Sequence, residues 1–236
     1  MLDFLTELVN HLLKEAIQQP IIIITGNELG LDTYESFSLE DFVKSGVAWK
    51  TQKKYLDGHA RPLDRGKDRL VYEIGPELIL KFMSSLAYGR EQNKAEYQAY
   101  RCAVHSSVAS IYAVSNNFSW LIVEKVEPYK STESFEKDLG KLTNGLITNS
   151  HDFRAGIRLG LTILDTDPRE IFLDKFTEER ARTHNKLFKE NSWYRNLVLT
   201  VKSCRLNVSE LVAPNFGRSR LDGTNRIVIL DYGDRH

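Results

Sequence analysis

Five residues of this chain of 236 have side chains that phosphoryl transfer from a nucleotide would use: Lys81, Glu96, Glu210, Asn215 and Asp231. That chemistry needs a cation on the phosphates and a carboxylate to hold the cation. It also needs a carboxylate and an amide oxygen on Mg²⁺, and a further carboxylate beside the hydroxyl that receives the phosphoryl group. The chain offers candidates in that order. Lys81 closes the apolar run "LILKF", Glu96 follows in a helix-like stretch, and Glu210 precedes Asn215 in a loop. Asp231 comes after a β-rich run. Each alone has an ordinary reading, Lys81 as a strand-end lysine reaching solvent and Glu96 as part of a solvated helix face. The five in order, on compatible elements, carry more weight than any one of them.

The elements that must position these residues can be read from periodicity and turn chemistry. "RLVYEIGPELILKF" is two β-rich runs separated by Gly75-Pro76, which predicts a hairpin with Lys81 on the face of Ile79 and opposite Leu80. "GREQNKAEYQAYRCAVH" reads as the helix of Glu96. "SIYAVSNNFSWLIVEKVEP" reads as a second hairpin that turns at Asn116-Asn117 and stops at Pro128. Residues 133–205 are mostly helix-like. "ERARTHNKLFKENSWYRNLVLTVKSC" is the longest periodic stretch there, and "HDFRAGIRLGLTIL" is a shorter one. The end returns to β character, with a turn at Asp222-Gly223 between "GRSRL" and "RIVILDYG".

Residues 1–60 read as a helical appendage. Leu2, Leu5, Leu8, Val9, Leu12 and Leu13 recur at helical intervals over residues 2–17, and Pro20 ends the pattern. This helix is expected to pack on the rest of the chain, the sharper alternative being a docking element for a partner. "SLEDFVKSG" predicts a short helix capped by Ser38, with Asp41 in its first turn, and stopped by Gly46. The class is therefore α+β.

Composition narrows the function classes. Hydrophobic residues are 42% and charged residues 27%, an ordinary globular balance. Lys plus Arg equals Asp plus Glu at 32 each, so no whole-chain field favours nucleic acid or an anionic membrane. The longest purely apolar run, Ile21 to Ile24, is far short of the ~20 residues of a membrane span. The first residues carry Asp3 and Glu7 and lack the basic lead of a signal peptide, so a cytoplasmic location is expected. Cys102 and Cys204 lack CxxC spacing and the six His are scattered, which argues against a zinc site. The two cysteines are expected as buried or half-buried thiols in a reducing compartment, a disulfide between them being the lesser alternative.

Over about residues 61–236 the chain resembles the protein-kinase-like superfamily, and in detail the small kinase-like proteins encoded by bacteriophages. The resemblance rests on "GKDRLVYEIGPELILKF", "GREQNKAEYQAY", "SWLIVEKVEP" and "NFG…DGTNRIVILDYG". It implies a bilobal fold, with a β-rich N-lobe over 61–128 and a helical C-lobe over 129–236 that is truncated and ends in a metal-binding hairpin. It implies ATP and Mg²⁺ as cofactors. Lys81 would contact phosphates and pair with Glu96, and Gly66 would lie in the phosphate loop. Backbone groups from Glu124 to Val126 would bind adenine, with Ile122 or Val123 against the base. Asn215 and Asp231 would hold the metal, and Glu210 would stand where the catalytic aspartate is expected. The implied activity is phosphoryl transfer to a protein hydroxyl, with a host protein as target in a phage setting and the host cytoplasm as location. The alternative is a pseudokinase that binds and inhibits or redirects a partner without chemistry.

Three departures from the family pattern are visible. "VSELVAPN" has Glu210 for the aspartate and Val212 for a histidine, and a carboxylate displaced by one methylene is expected to weaken catalysis. The stretch "DRGKDRLVY" has one glycine, Gly66, where several are usual, so nucleotide affinity is expected to be low. Arg65, Lys67 and Arg69 could compensate electrostatically, or form a solvated charged turn. The sequence also stops three residues after Asp231-Tyr232-Gly233, before any activation segment.

Overall fold

The computed structural model describes residues 21–23, 37–46, 48–65, 68–84, 88–165, 175–220 and 226–230. The expectations for the helix over 2–17, for Gly66 and Lys67, for the turn at Asp222-Gly223 and for Asp231 to Gly233 lie outside the described residues. The chain is mixed α+β and divides into two compact units. One comprises residues 1–98 and 110–125, the other residues 99–109 and 126–236.

The first unit is built on an antiparallel six-stranded sheet. Its strands are β1 (Ile21–Ile23), β2 (Arg61–Arg65), β3 (Arg69–Gly75), β4 (Leu78–Met83), β5 (Ile111–Ser115) and β6 (Trp120–Glu124), in the spatial order β1-β5-β6-β4-β3-β2. The two hairpins read from the sequence are both present. β3 pairs with β4 around Gly75 and Pro76, and β5 pairs with β6 across Asn116 and Asn117. Every residue of β5 and β6 is buried, which explains why these strands read as continuous apolar runs instead of alternating ones.

Helix α1 (Leu39–Lys44) forms as its sequence predicts. The Ser38 hydroxyl accepts the Asp41 N–H at 3.2 Å, and Gly46 at φ +105° supplies the left-handed residue that stops the chain from continuing as helix. Helix α2 (Trp49–His59) follows. These two are not an appendage, and the boundary expected at residue 60 is corrected. Phe37, Phe42, Val43 and Leu56 share one apolar cluster with Leu70, Tyr72, Leu80, Phe82 and Trp120 of the sheet. Phe42 meets Phe82 and Trp120 edge-on, and the Trp49 indole N–H donates to the Met83 carbonyl at 2.8 Å. Without these side chains one apolar face of the sheet would be open to water.

Helix α3 (Tyr88–Cys102) carries Glu96, and its last residues belong to the second unit. A Cβ on Gly89 would lie 2.5 Å from the Asp68 carbonyl and 2.7 Å from the Met83 Cβ, so only glycine lets the helix start this close to the sheet. Farther along, the buried Asn93 donates its side-chain amide to the Phe118 carbonyl at 2.9 Å. Both contacts fix the rotation of α3, and hence where Glu96 points.

The second unit contains α4 (Thr132–Leu142), α5 (Ser150–Asp165), α6 (Lys175–Glu190) and α7 (Ser192–Cys204). It also holds a three-stranded antiparallel sheet of β7 (Glu127–Pro128), β8 (Phe216–Ser219) and β9 (Arg226–Ile229). The long periodic stretch is two helices. Asn191 lies between them in an extended conformation, and its side chain accepts the Tyr194 N–H at 2.9 Å to start α7. Phe135, Phe153 and Phe216 form the aromatic centre, with Tyr129 and Trp193 at its edge.

The cysteines depart from expectation. Cys102 at the end of α3 and Cys204 at the end of α7 form a disulfide with their Cα atoms 5.4 Å apart, and no described cysteine is free. A sequence separation of 102 residues hid this pairing, because only the packing of two helix ends brings the thiols together. Among the described residues no helix is long and apolar enough to cross a membrane.

Candidate functional site

The candidate residues fall into two groups, one in each unit. In the first, Lys81 lies in β4, opposite Val71 in β3 and opposite Leu121 in β6, in the middle of the sheet. It is 8% exposed, so it does not reach solvent as an isolated strand-end lysine would. Its Nζ lies 2.5 Å from Oε1 of Glu96, which is itself 5% exposed. The pairing expected from the resemblance is therefore present.

Arg69 joins this pair. Its guanidinium donates to Oε2 of Glu96, so each carboxylate oxygen receives one cation. This answers the choice left open by the sequence, since Arg69 belongs to a buried ion-pair cluster and is not a solvated turn residue. Sequence reasoning missed the contact, although register could have revealed it. Val71 is the cross-strand partner of Lys81, and Arg69, two residues earlier, lies on the same face as its diagonal neighbour. Burial alone would raise the Glu96 carboxyl above its usual value. Lys81 and Arg69, by charge and by hydrogen bond, outweigh burial and hold it below 4.5.

The stretch expected at the adenine is partly fixed and partly open. Glu124 is buried, and its Oε2 accepts the Ser110 N–H at 3.0 Å while its own N–H donates to the Ser110 carbonyl at 2.8 Å. The Glu124 side chain therefore braces the end of β6. The Lys125 N–H donates to the Glu77 carbonyl at 2.7 Å, and its ammonium pairs with Glu73. Among the described residues, the backbone N–H and C=O of Val126 have no partner. A ligand with an adjacent donor and acceptor could use them.

In the second unit, Glu210 ends a single 3₁₀ turn, Val208–Glu210, and Asn215 ends another, Ala213–Asn215, just before β8. The Asn215 amide N–H donates to the Glu210 carbonyl at 2.8 Å. A carbonyl can only accept, so this bond identifies the nitrogen of the Asn215 amide and leaves Oδ1 as an acceptor with no partner among the described residues. The Glu210 carboxylate has no partner among the described residues and is half-buried. Asp231 lies outside the described residues, but the strand leading to it is defined. Phe216 pairs with Ile229, and the Leu230 N–H donates to the Asn215 carbonyl at 2.9 Å, so the residue before Asp231 is hydrogen-bonded to Asn215.

Each group has a distinct chemical capacity. The Lys81 cluster presents fixed cationic groups suited to an anion such as phosphate. The Glu210–Asn215 loop presents hard oxygen acceptors, which suit Mg²⁺ or a hydroxyl proton. Among the described residues, no group of three or more His, Cys, Asp or Glu could hold a metal ion. No family profile, no curated protein and no solved structure matches this chain.

Proposed function

We propose that the chain has a protein-kinase-like bilobal fold and is an ATP- and Mg²⁺-dependent phosphotransferase acting on a hydroxyl of a protein. The observation that carries the reading is the buried Lys81–Glu96 pair, which places a lysine ammonium on a central strand and locks it with a carboxylate from the following helix. Nothing in sheet packing calls for such a pair, since apolar residues of the same volume would be as stable or more so. Its chemistry suits a site that must fix a cation for phosphates.

In this reading Lys81 binds the phosphates, and Glu96 with Arg69 holds its ammonium in position. Val126 offers its backbone N–H and C=O to adenine. Oδ1 of Asn215 and the carboxylate of Asp231 hold Mg²⁺, with Gly66 in the loop over the phosphates. The metal supplies charge neutralisation at the transferring group. Glu210 accepts or orients the proton of the attacking hydroxyl, and the hydrogen bond from Asn215 to its carbonyl fixes the loop between them. The target is a protein, a host protein if the chain belongs to a phage.

Two observations favour the pseudokinase reading, in which the same fold captures a partner without chemistry. Arg69 shares Glu96 with Lys81, and the carboxylate beside Asn215 is a glutamate. Incubation with γ-labelled ATP and a protein lysate separates the readings, with Lys81→Ala and Glu210→Gln as controls. Transfer of label that both substitutions reduce by about 10²-fold or more supports the enzyme. Absence of label with intact ATP binding supports the pseudokinase.

A further inference from the structure

The face of the first sheet that carries Lys81 also carries a second ion pair, to which the nucleotide reading gives no role. Val71 lies opposite Lys81, Glu73 lies opposite Ile79, and Ile79 lies opposite Val123 of β6. Alternation puts these side chains on one face, and Lys125, two residues beyond Val123, belongs to the same side. Arg69, Lys81 and Glu96 form the cluster at one end. Glu73 and Lys125 form the pair at the other, with Glu73 one two-residue step, about 7 Å, along β3 from the residue opposite Lys81. Val71 and Ile79 are only half-buried, whereas Leu121 and Val123 beside them are buried.

Glu73 is the informative residue, being 3% exposed and charged. The Lys125 ammonium donates to its Oε1, while its Oε2 has the Arg61 guanidinium 3.4 Å away, on a side chain 71% exposed. Among the described residues Oε2 accepts no hydrogen bond, so Lys125 is the main partner of the carboxylate. An apolar residue at this position would be as stable or more so. What the ion pair supplies is position. Lys125 immediately precedes Val126, and its N–H donates to the Glu77 carbonyl at 2.7 Å in the turn between β3 and β4. The residue is thus tied by backbone and by side chain to the hairpin that carries Lys81. Glu124, one residue earlier, is tied on the other side to the backbone of Ser110. The chain therefore leaves the sheet toward the unpaired N–H and C=O of Val126 from a fixed point.

We propose that Glu73 and Lys125 are positioning residues for the nucleobase. The inference rests on the nucleotide reading and deepens it by assigning the two ends of the ligand to two separate devices. Lys81, held by Glu96 and Arg69, takes the phosphates. The Glu73–Lys125 pair acts through Val126, by fixing where its backbone donor and acceptor meet the edge of the base, so that no ordering cost is left for the moment of binding. Removing Lys81 should then weaken every ligand that carries the phosphates. Breaking the Glu73–Lys125 pair should weaken only ligands that carry a base.

The test is calorimetric titration of the full chain with Mg²⁺-ATP and with Mg²⁺-tripolyphosphate, which keeps the three phosphates and lacks the nucleoside. The unmodified chain should bind ATP at least about tenfold more tightly. Lys125→Met and Glu73→Gln should each weaken ATP binding by about tenfold, the worth of one misplaced hydrogen bond, and leave tripolyphosphate binding within about twofold. The double substitution should cost no more than either single one, because both break the same pair. Lys125→Arg, which keeps a cation for Glu73, should restore most of the affinity. Lys125 is partly exposed, so Lys125→Met keeps the test usable if the buried Glu73→Gln fails to fold, with circular dichroism reporting folding in each variant. Unchanged ATP affinity in a folded Lys125→Met variant overturns the proposal, and so do equal losses for ATP and tripolyphosphate, which a merely structural role would give. An unmodified chain that binds tripolyphosphate as tightly as ATP overturns it while leaving the role of Lys81 standing. One that binds neither overturns both.

Discussion

The Lys81 cluster and the Glu210–Asn215 loop use the same kinds of groups in opposite ways. In the first, both oxygens of Glu96 are taken by cations, and the cluster lies between a central strand and a helix that Gly89 and Asn93 hold in place. In the second, a glutamate carboxylate has no partner among the described residues, and one amide hydrogen bond links the two short turns. A saturated buried cluster determines where a cation stands, and it is expensive to disturb. A half-buried carboxylate left open adds little to stability and is available to a ligand. The candidate residues thus divide into those whose loss should cost most stability and those whose loss should affect chiefly activity.

Glu96→Ala tests the first half most severely. It leaves Lys81 and Arg69 buried without their carboxylate, and urea denaturation should show a loss of about 3–5 kcal/mol. Glu210→Gln should change stability by no more than about 0.5 kcal/mol in the same assay. Equal effects at the two positions would break the comparison. The same cluster sets a pH dependence. The Glu96 carboxyl titrates lower in the folded chain than in the unfolded one, so the unfolded chain binds more protons in that window. The contribution of Glu96 is full above about pH 4.5 and is lost as the pH falls through the lower folded value, and acid denaturation of Glu96→Gln should lack that component.

Opening the disulfide should have the next largest effect. Cys102 ends the helix that carries Glu96, and the bridge closes a loop of 102 residues. Cys204→Ser should lower the urea-unfolding free energy by about 2–4 kcal/mol relative to the oxidised chain, and a reductant should do the same to the unmodified one. A reductant without effect would show that the bridge does not form in solution. Gly89→Ala should cost about 1–3 kcal/mol, because its Cβ meets the Asp68 carbonyl and Met83. If α3 shifts to accept the methyl group, nucleotide affinity should fall as well, through Glu96. A smaller loss of stability is expected for Asn215→Ala, about 1 kcal/mol for one hydrogen bond, read from the thermal midpoint. Its dependence on Mg²⁺ should change far more than its stability.

The local features of this chain were legible in its sequence, and the long-range ones were mostly not. The Ser38 cap, the turn at Asn116-Asn117 and the apolar runs of β5 and β6 act over a few residues, and propensity and turn chemistry report them. The Lys81–Glu96 contact was anticipated through resemblance, since fifteen residues of spacing alone leave both side chains with ordinary surface readings. Arg69 was missed because its role depends on strand register. The Cys102–Cys204 bridge was missed because it depends on where two helices end. Residues 1–60 read as a helical appendage because Phe37, Phe42 and Leu56 are too widely spaced to announce the core they share with the sheet.

The central claim is that Lys81, held by Glu96, binds the phosphates of a nucleotide whose metal is held by Asn215 and Asp231. A thermal-shift titration with ATP, with and without Mg²⁺, on the unmodified chain, Lys81→Met and Asn215→Ala addresses it most directly. Saturation by Mg²⁺-ATP should stabilise the unmodified chain by about 2.7 kcal/mol at 100 times Kd. Lys81→Met should lose the effect with or without metal, and Asn215→Ala should lose only the part that Mg²⁺ adds. An unmodified chain that millimolar Mg²⁺-ATP does not stabilise, or one stabilised equally with Lys81 replaced, would contradict the account.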